Sequence, residues 1–183
     1  MDIIETGFKG LIVIKPEVYA DNRGYFFESF NRDTFLKAGI DFAPVQDNES
    51  QSSRGVIRGL HYQLRPYQQA KLVRVVRGKI FDVALDLRRS SPTFGKWYGI
   101  ELDSDGKSQL FIPGGFAHGF SVLSDNAIIQ YKVDKVYNRL SERGISLNDP
   151  ELNIKWPECR AEPVISEKDL KNPSFREAEY NFQ

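Results

Sequence analysis

Cysteine occurs once, as Cys159, so no intrachain disulfide and no thiolate metal cluster can form. Histidine occurs twice, as His61 and His118, too few for the several nitrogen and oxygen ligands of a transition-metal site. The expectation is a protein without a transition-metal site. Neither sign of charge is in excess, since 25 Lys and Arg balance 25 Asp and Glu. No net field therefore draws the chain to nucleic acid or to an anionic membrane, and an anionic ligand must meet a local cluster of bases. Long apolar runs are missing, which argues against a membrane span. Within residues 1–20 the short apolar runs are broken by Asp2, Glu5, Lys9, Lys15 and Glu17, the wrong pattern for a secretion signal. A cytoplasmic protein is expected.

Helical periodicity is scarce as well. One short helix is expected from Asn31 as N-cap to just before Gly39, and a second from Ser166 to before Pro173. Extended runs dominate instead, around 10–15, 24–30, 55–63, 70–77, 79–88, 96–102, 108–113, 116–123 and 127–133, separated by Gly, Pro, Asn, Asp or Ser. Along 79–88, Phe81, Val83, Leu85 and Leu87 share one parity and Asp82 and Asp86 the other, the pattern of a half-buried strand. Gly78 reads as a tight hairpin and Asp103-Ser104-Asp105-Gly106 as a further turn. Many short strands so spaced indicate an all-β sandwich or barrel. From 148 onward Pro150, Pro157, Pro163 and Pro173 interrupt the chain, which suggests an arm wrapped on the barrel. With 183 residues and no linker or repeat, one domain spanning 1–183 is expected.

Two segments concentrate chemistry. Pro113-Gly114-Gly115-Phe116-Ala117-His118 fits the cupin pattern Pro-x-Gly-x-x-His, a turn that delivers an inward histidine. Arg58-Gly59-Leu60-His61-Tyr62-Gln63, followed by Lys71-Leu72-Val73-Arg74, puts a base and several cations on core-like strands. Any one of these residues alone is more readily an outward-facing or merely satisfied side chain. Together they suggest an anion-binding pocket, because buried charge must be paired or used. Parity is an obstacle, since Arg58 and His61 face opposite sides of a regular strand; a bulge at Gly59 would re-aim one of them.

These motifs, with Asp21-Asn-Arg23-Gly-Tyr-Phe-Phe-Glu28, Val45-Gln46-Asp47-Asn48, Ser91-Pro-Thr-Phe-Gly95, Ala127 to Tyr131-Lys132 and Ser166-Glu-Lys-Asp169, stand in an order that resembles the dTDP-4-dehydrorhamnose 3,5-epimerase family over nearly the whole chain. Leu147 stands where that family usually has Trp before Asn-Asp, which bears on local packing or on how the far end of the substrate is held. The resemblance implies an all-β, cupin-type jelly-roll barrel with a few short helices and a C-terminal arm. It implies a cofactor-independent isomerase acting on a dTDP-linked 4-keto-6-deoxyhexose, in which carbons 3 and 5 flank one ketone. It also implies a homodimer with exchanged N-terminal strands.

Inverting a carbon next to a ketone needs a base, a stabiliser for the enolate oxygen and an acid on the other face. By resemblance His61 is the base, Asp169 its carboxylate partner, Lys71 the enolate stabiliser and Tyr131 the acid. Asp169 also completes a capping box, Ser166-x-x-Asp169, and Tyr131 by itself reads as an inward strand aromatic. His118 is expected to contact the sugar or the enolate. Arg23 and Arg58 suit the pyrophosphate; Glu28, Gln46 and Asn48 suit the base or ribose; Phe26 and Tyr137 offer stacking faces. Rival readings are a mono-epimerase or ketoisomerase on the same fold, a non-catalytic sugar-nucleotide-binding cupin, and a metal-dependent cupin.

Overall fold

The computed structural model describes residues 1–158 and 162–183; Cys159 lies outside the described residues. Two antiparallel sheets face each other. The first runs in the order β1 (Asp2–Glu5), β2 (Ile12–Lys15), β10 (Gln109–Ile112), β7 (Lys71–Arg77), β12 (Asn126–Val133), β5 (Gln46–Ser53). The second runs β13 (Glu142–Gly144), β6 (Ile57–Gln63), β11 (Phe116–Val122), β8 (Lys79–Asp86), β9 (Trp97–Asp103). Their edges are not bonded into a closed cylinder. A small hairpin, β3 (Tyr19–Asp21) with β4 (Gly24–Phe26), stands apart from both. The helices are α1 (Arg32–Lys37) and α2 (Glu167–Leu170).

The main core lies between the sheets, where Val13, Val73, Val75, Ile80, Ala84, Leu110, Phe120 and Ile129 interleave. The first sheet's outer face (Ile12, Ile14, Leu72, Phe111) is covered by Phe35 of α1 together with Ile40 and Phe42. Asn31 caps α1 as its composition suggested, accepting from the amides of Asp33 and Thr34. The second sheet's outer face (Tyr62, Val83, Leu85) is covered by Leu147, Leu152, Phe175 and Phe182. The C-terminal segment is thus an arm across this sheet, pinned where Asp149 accepts from the Phe175 amide (2.7 Å) and the Trp97 indole donates to the Leu152 carbonyl (2.9 Å).

The arm corrects the reading of 79–88 as half-buried. Strand β8 is internal to its sheet and covered on both faces, so Asp82 and Asp86 are fully buried beside Val83 and Leu85. Its polar parity points between the sheets, where a partner must meet each carboxylate. For Asp86 the partners are Arg88 (2.8 Å), Ser91 (2.6 Å) and Thr93 (2.7 Å). Gly78 does not close a hairpin either, because β7 and β8 belong to opposite sheets. Its positive φ (82°) turns the chain from one sheet to the other where a Cβ would lie 2.2 Å from the Asn126 carbonyl. The strand expected at 24–30 is confined to Gly24–Phe26, beyond which Phe30 turns inward onto Phe35 and Phe42.

Candidate active site

The obstacle at Arg58 and His61 is resolved by the backbone. His118 pairs with His61 and Phe120 with Arg58, so one residue of β11 spans two of β6, Gly59 and Leu60. That bulge turns Arg58 to the face that His61 occupies. Only glycine fits at its first position, with φ at 127° and a Cβ position 2.6 Å from Gly119 Cα. His61 and His118, cross-strand neighbours, consequently point together between the sheets.

His61 meets Asp169 of α2, Nε2 to Oδ1, at 2.6 Å. Both sequence readings of Asp169 apply: its amide donates to the Ser166 cap (3.1 Å), and that short helix aims its carboxylate at His61. The second oxygen accepts from the Gly59 amide at 3.4 Å. Burial pushes the Asp169 carboxyl up, but the bonds from His61, Gly59 and Ser166 outweigh it and hold it below the usual carboxylate range. An ionised carboxylate only accepts, so Nε2 carries the hydrogen and Nδ1 is left as the basic nitrogen.

Across from His61 stand Lys71 of β7 and Tyr131 of β12, contributed by the first sheet. Lys71 is 9% exposed, and its Nζ lies 6.0 Å from the Tyr131 ring centroid. Burial pulls its pKa down to about 8, with the charges of Asp82 and Glu142 opposing the fall. Burial also raises the Tyr131 phenol, against the charge of Arg58 and with that of Glu142, which keeps the hydroxyl a donor. His118 is held from behind, Nε2 lying 2.9 and 3.0 Å from the two oxygens of buried Asp82.

Gln46, Asn48, His61, Lys71, Tyr131 and Tyr137 line one cleft of about 240 Å³. Gln46 holds Asn48 (2.8 Å) and accepts from the Tyr137 amide (3.0 Å). Arg58 does not line it, but is bonded to Ser52 (3.1 Å) with its charge acting on the Tyr131 phenol. The remaining three expected residues are elsewhere. Arg23 pairs with Asp21 and is 86% exposed, Phe26 is exposed on the same hairpin, and both line a separate depression. Glu28 accepts from Asn31 at 2.9 Å. Arg74, expected with the cationic cluster, has the opposite parity to Lys71 and binds Gln130 on the outer face (2.7 Å).

Sequence reasoning missed Glu142 and Gln69 of the cleft wall, which Gln63 of the Arg58–Gln63 segment also lines. Glu142 accepts from the Tyr137 hydroxyl (2.8 Å) and pairs with Lys168 (2.6 Å). Burial pushes its carboxyl up, but those two bonds and the charges of Lys168 and His61 bring it below the usual range. Its strand has three residues in a turn-rich stretch, too short to show a period. Asp82 was read as solvent-facing, and only the arm over β8 reveals its direction. Leu147 is buried under the arm, its carbonyl accepting from Trp156 (3.0 Å), away from the cleft. Among the described residues no three His, Cys, Asp or Glu side chains converge as a metal-ligand set.

A base oriented by a carboxylate, an ammonium and a phenol around one small cleft suit removal and return of a proton beside a carbonyl. The comparisons with known proteins agree. The family model described as dTDP-4-dehydrorhamnose 3,5-epimerase matches residues 5–177. The dTDP-4-dehydrorhamnose 3,5-epimerase of Shigella flexneri is 50% identical over 181 residues, 98% of this chain and 99% of its own. The crystal structure of the dTDP-6-deoxy-D-glucose-3,5-epimerase from Legionella pneumophila Philadelphia 1, in complex with dTDP-4-keto-L-rhamnose, matches with a TM-score of 0.92 and 45% identity, covering 96% of this chain and 93% of that one. A 3'-monoepimerase from Streptomyces bikiniensis in complex with dTDP-quinovose is more distant, with a TM-score of 0.86 and 34% identity over 91% of this chain and 84% of that one. In sequence, in its cupin-like jelly-roll architecture and in the side chains gathered at the cleft, the chain belongs to the dTDP-4-dehydrorhamnose 3,5-epimerase family.

Proposed function

We propose that the chain is a cofactor-independent isomerase that inverts carbons 3 and 5 of dTDP-4-keto-6-deoxy-D-glucose, giving dTDP-4-keto-L-rhamnose. The observation that carries this reading is that the His61–Asp169 pair belongs to the second sheet and its arm, while Lys71 and Tyr131 face it from the first. A sugar ring between the sheets then has a base on one side and a proton donor on the other.

In each half of the reaction Nδ1 of His61 removes the proton from the carbon beside the ketone. The C–H electron pair moves into the ring and the ketone oxygen becomes an enolate, which the Lys71 ammonium stabilises. Tyr131 delivers its proton to the opposite face of the same carbon, and solvent restores both residues. Asp169 stabilises the imidazolium while it exists. Because carbons 3 and 5 flank the same carbonyl, one Lys71 serves both inversions.

Arg58 is proposed to hold the pyrophosphate, His118 to contact the sugar or enolate, and Gln46, Asn48 and Tyr137 to contact the nucleoside. Arg23, Phe26 and Glu28 are proposed to complete that subsite in a homodimer, each protomer lending its exposed N-terminal hairpin to its partner. Residues 1–183 are read as one catalytic domain acting in the cytoplasm; no helix among the described residues is long and apolar enough to cross a membrane. Double inversion is favoured over single inversion because the chain is 45% identical to the 3,5-epimerase structure and 34% to the monoepimerase. Purified protein is expected to convert the 4-keto-6-deoxyglucose nucleotide to the L-rhamno product by NMR, and His61→Ala to abolish conversion. An inactive wild-type protein that still binds the nucleotide would return the chain to a binding role.

A further inference from the structure

Arg58 pairs with no carboxylate among the described residues and its charge acts on Tyr131 of the cleft, so how it is held sets which part of it can meet a ligand. Its Nε–H donates to Ser52 Oγ at 3.1 Å, and an Nη2–H donates to the Gln51 carbonyl at 3.2 Å. Both acceptors are on β5, the edge strand of the first sheet, whereas Arg58 is on β6 of the second. Ser52 is 5% exposed, while Arg58 is exposed. Ser52 Oγ is therefore a fixed, desolvated acceptor, and the guanidinium is tethered along its Nε–Nη2 edge only.

We infer that Ser52 is a positioning residue that turns the Nη1 side of Arg58 toward the diphosphate of the substrate. A guanidinium binds phosphate oxygens through two parallel N–H groups, so its orientation decides whether the fork is presented. An untethered arginine side chain samples many rotamers, and ordering it on binding weakens the complex. The backbone carbonyl of Gln51 alone leaves the plane free to rotate about one bond, and the serine hydroxyl supplies the second point that fixes it. Ser52 shares the inward face of β5 with Gln46 and Asn48, so one strand places both the nucleoside contacts and the brace on the phosphate contact. This inference rests on Arg58 being the diphosphate ligand, as proposed above.

The test is calorimetric titration of the intact protein with thymidine diphosphate, carried out as a double-mutant cycle over Ser52→Ala and Arg58→Ala. Loss of the brace is expected to weaken binding about tenfold, and the loss in turnover is expected in KM more than in kcat. In the Arg58→Ala background Ser52→Ala is expected to change nothing further. Ser52→Thr and Ser52→Val, matched in shape, separate the hydroxyl from packing: Thr is expected to bind like wild type and Val like Ala. Equal losses in both backgrounds, equal behaviour of Thr and Val, or unchanged binding by Ser52→Ala each overturn the inference. If Arg58→Ala itself binds thymidine diphosphate normally, the assignment of Arg58 fails and the brace fails with it.

Discussion

Replacing Asp169 with Asn separates the catalytic use of this residue from its structural use. The backbone amide that caps α2 on Ser166 is untouched, so the helix and the fold are expected to remain. What is lost is the carboxylate 2.6 Å from His61 Nε2. A hydrogen bond to a charged partner contributes about 1.5–3 kcal/mol, and about 1.4 kcal/mol is a factor of ten in rate, so kcat is expected to fall roughly 10- to 150-fold. The imidazolium forms only as the proton is removed, so the loss belongs in kcat and leaves KM nearly unchanged. A second readout comes from stability. The folded-state pKa of Asp169 is depressed, so its contribution is present above the unfolded carboxylate value and is lost as pH falls through the lower folded value. The Asn variant lacks this contribution and is expected to lose less stability than the parent on acidification. Steady-state kinetics and urea denaturation between neutral and acidic pH check both. A variant with kcat within about twofold of the parent would refute the dyad.

Lys71, with a pKa near 8, must be protonated to stabilise an enolate, so activity is expected to decline as pH passes about 8. Lys71→Met is expected to cost about 100-fold in kcat. The same variant should be more stable than the parent at neutral pH, with the advantage fading toward alkaline pH. The sign follows from a folded pKa below the unfolded value: the penalty on the buried charge is full below the folded pKa and is relieved as pH rises. Tyr131→Phe keeps the base but removes the acid, so exchange of the substrate's C–H protons with solvent is expected to outlast inversion, which should fall at least 100-fold; NMR follows both. Gly59→Ala forces a Cβ into the Gly119 backbone at positive φ, and a loss of about 1–3 kcal/mol by urea denaturation is expected. Mixing inactive Arg23→Ala and His61→Ala proteins, with subunits exchanged under mild denaturant, should restore activity if each site takes its hairpin from the partner; no recovery in confirmed hybrids contradicts the exchange.

Where burial and apolar period coincide, the sequence was legible. β2, β7, β9, β10, β11 and β12 fall close to their expected ranges, and Asn31 and Ser166 cap the expected helices. β5 was invisible because its inward residues, Gln46, Asn48, Ser50 and Ser52, are polar; Gln46 and Asn48 line the cleft and Ser52 bonds Arg58, so the apolar period by which a strand is recognised is missing. The sidedness of β8 was misread because parity gives two faces without saying which is wet, and a distant arm covers the face taken as the core side. His61 and Lys71 stood out as a base and a cation on core-like strands, Tyr131 came through the family resemblance, and the three meet in the cleft. Glu142 and Lys168 were not found, because a carboxylate on a short irregular strand and a lysine on a short helix look like ordinary surface charge until the fold joins them.

The central claim is that one base and one acid invert both carbons beside a single ketone. Incubating the protein with dTDP-4-keto-6-deoxyglucose in deuterated water and following carbons 3 and 5 by NMR tests it most directly. Deuterium at both carbons of the L-rhamno product, absent from both with His61→Ala, is the predicted result; label at only one carbon, or label at either carbon surviving in the variant, would contradict it.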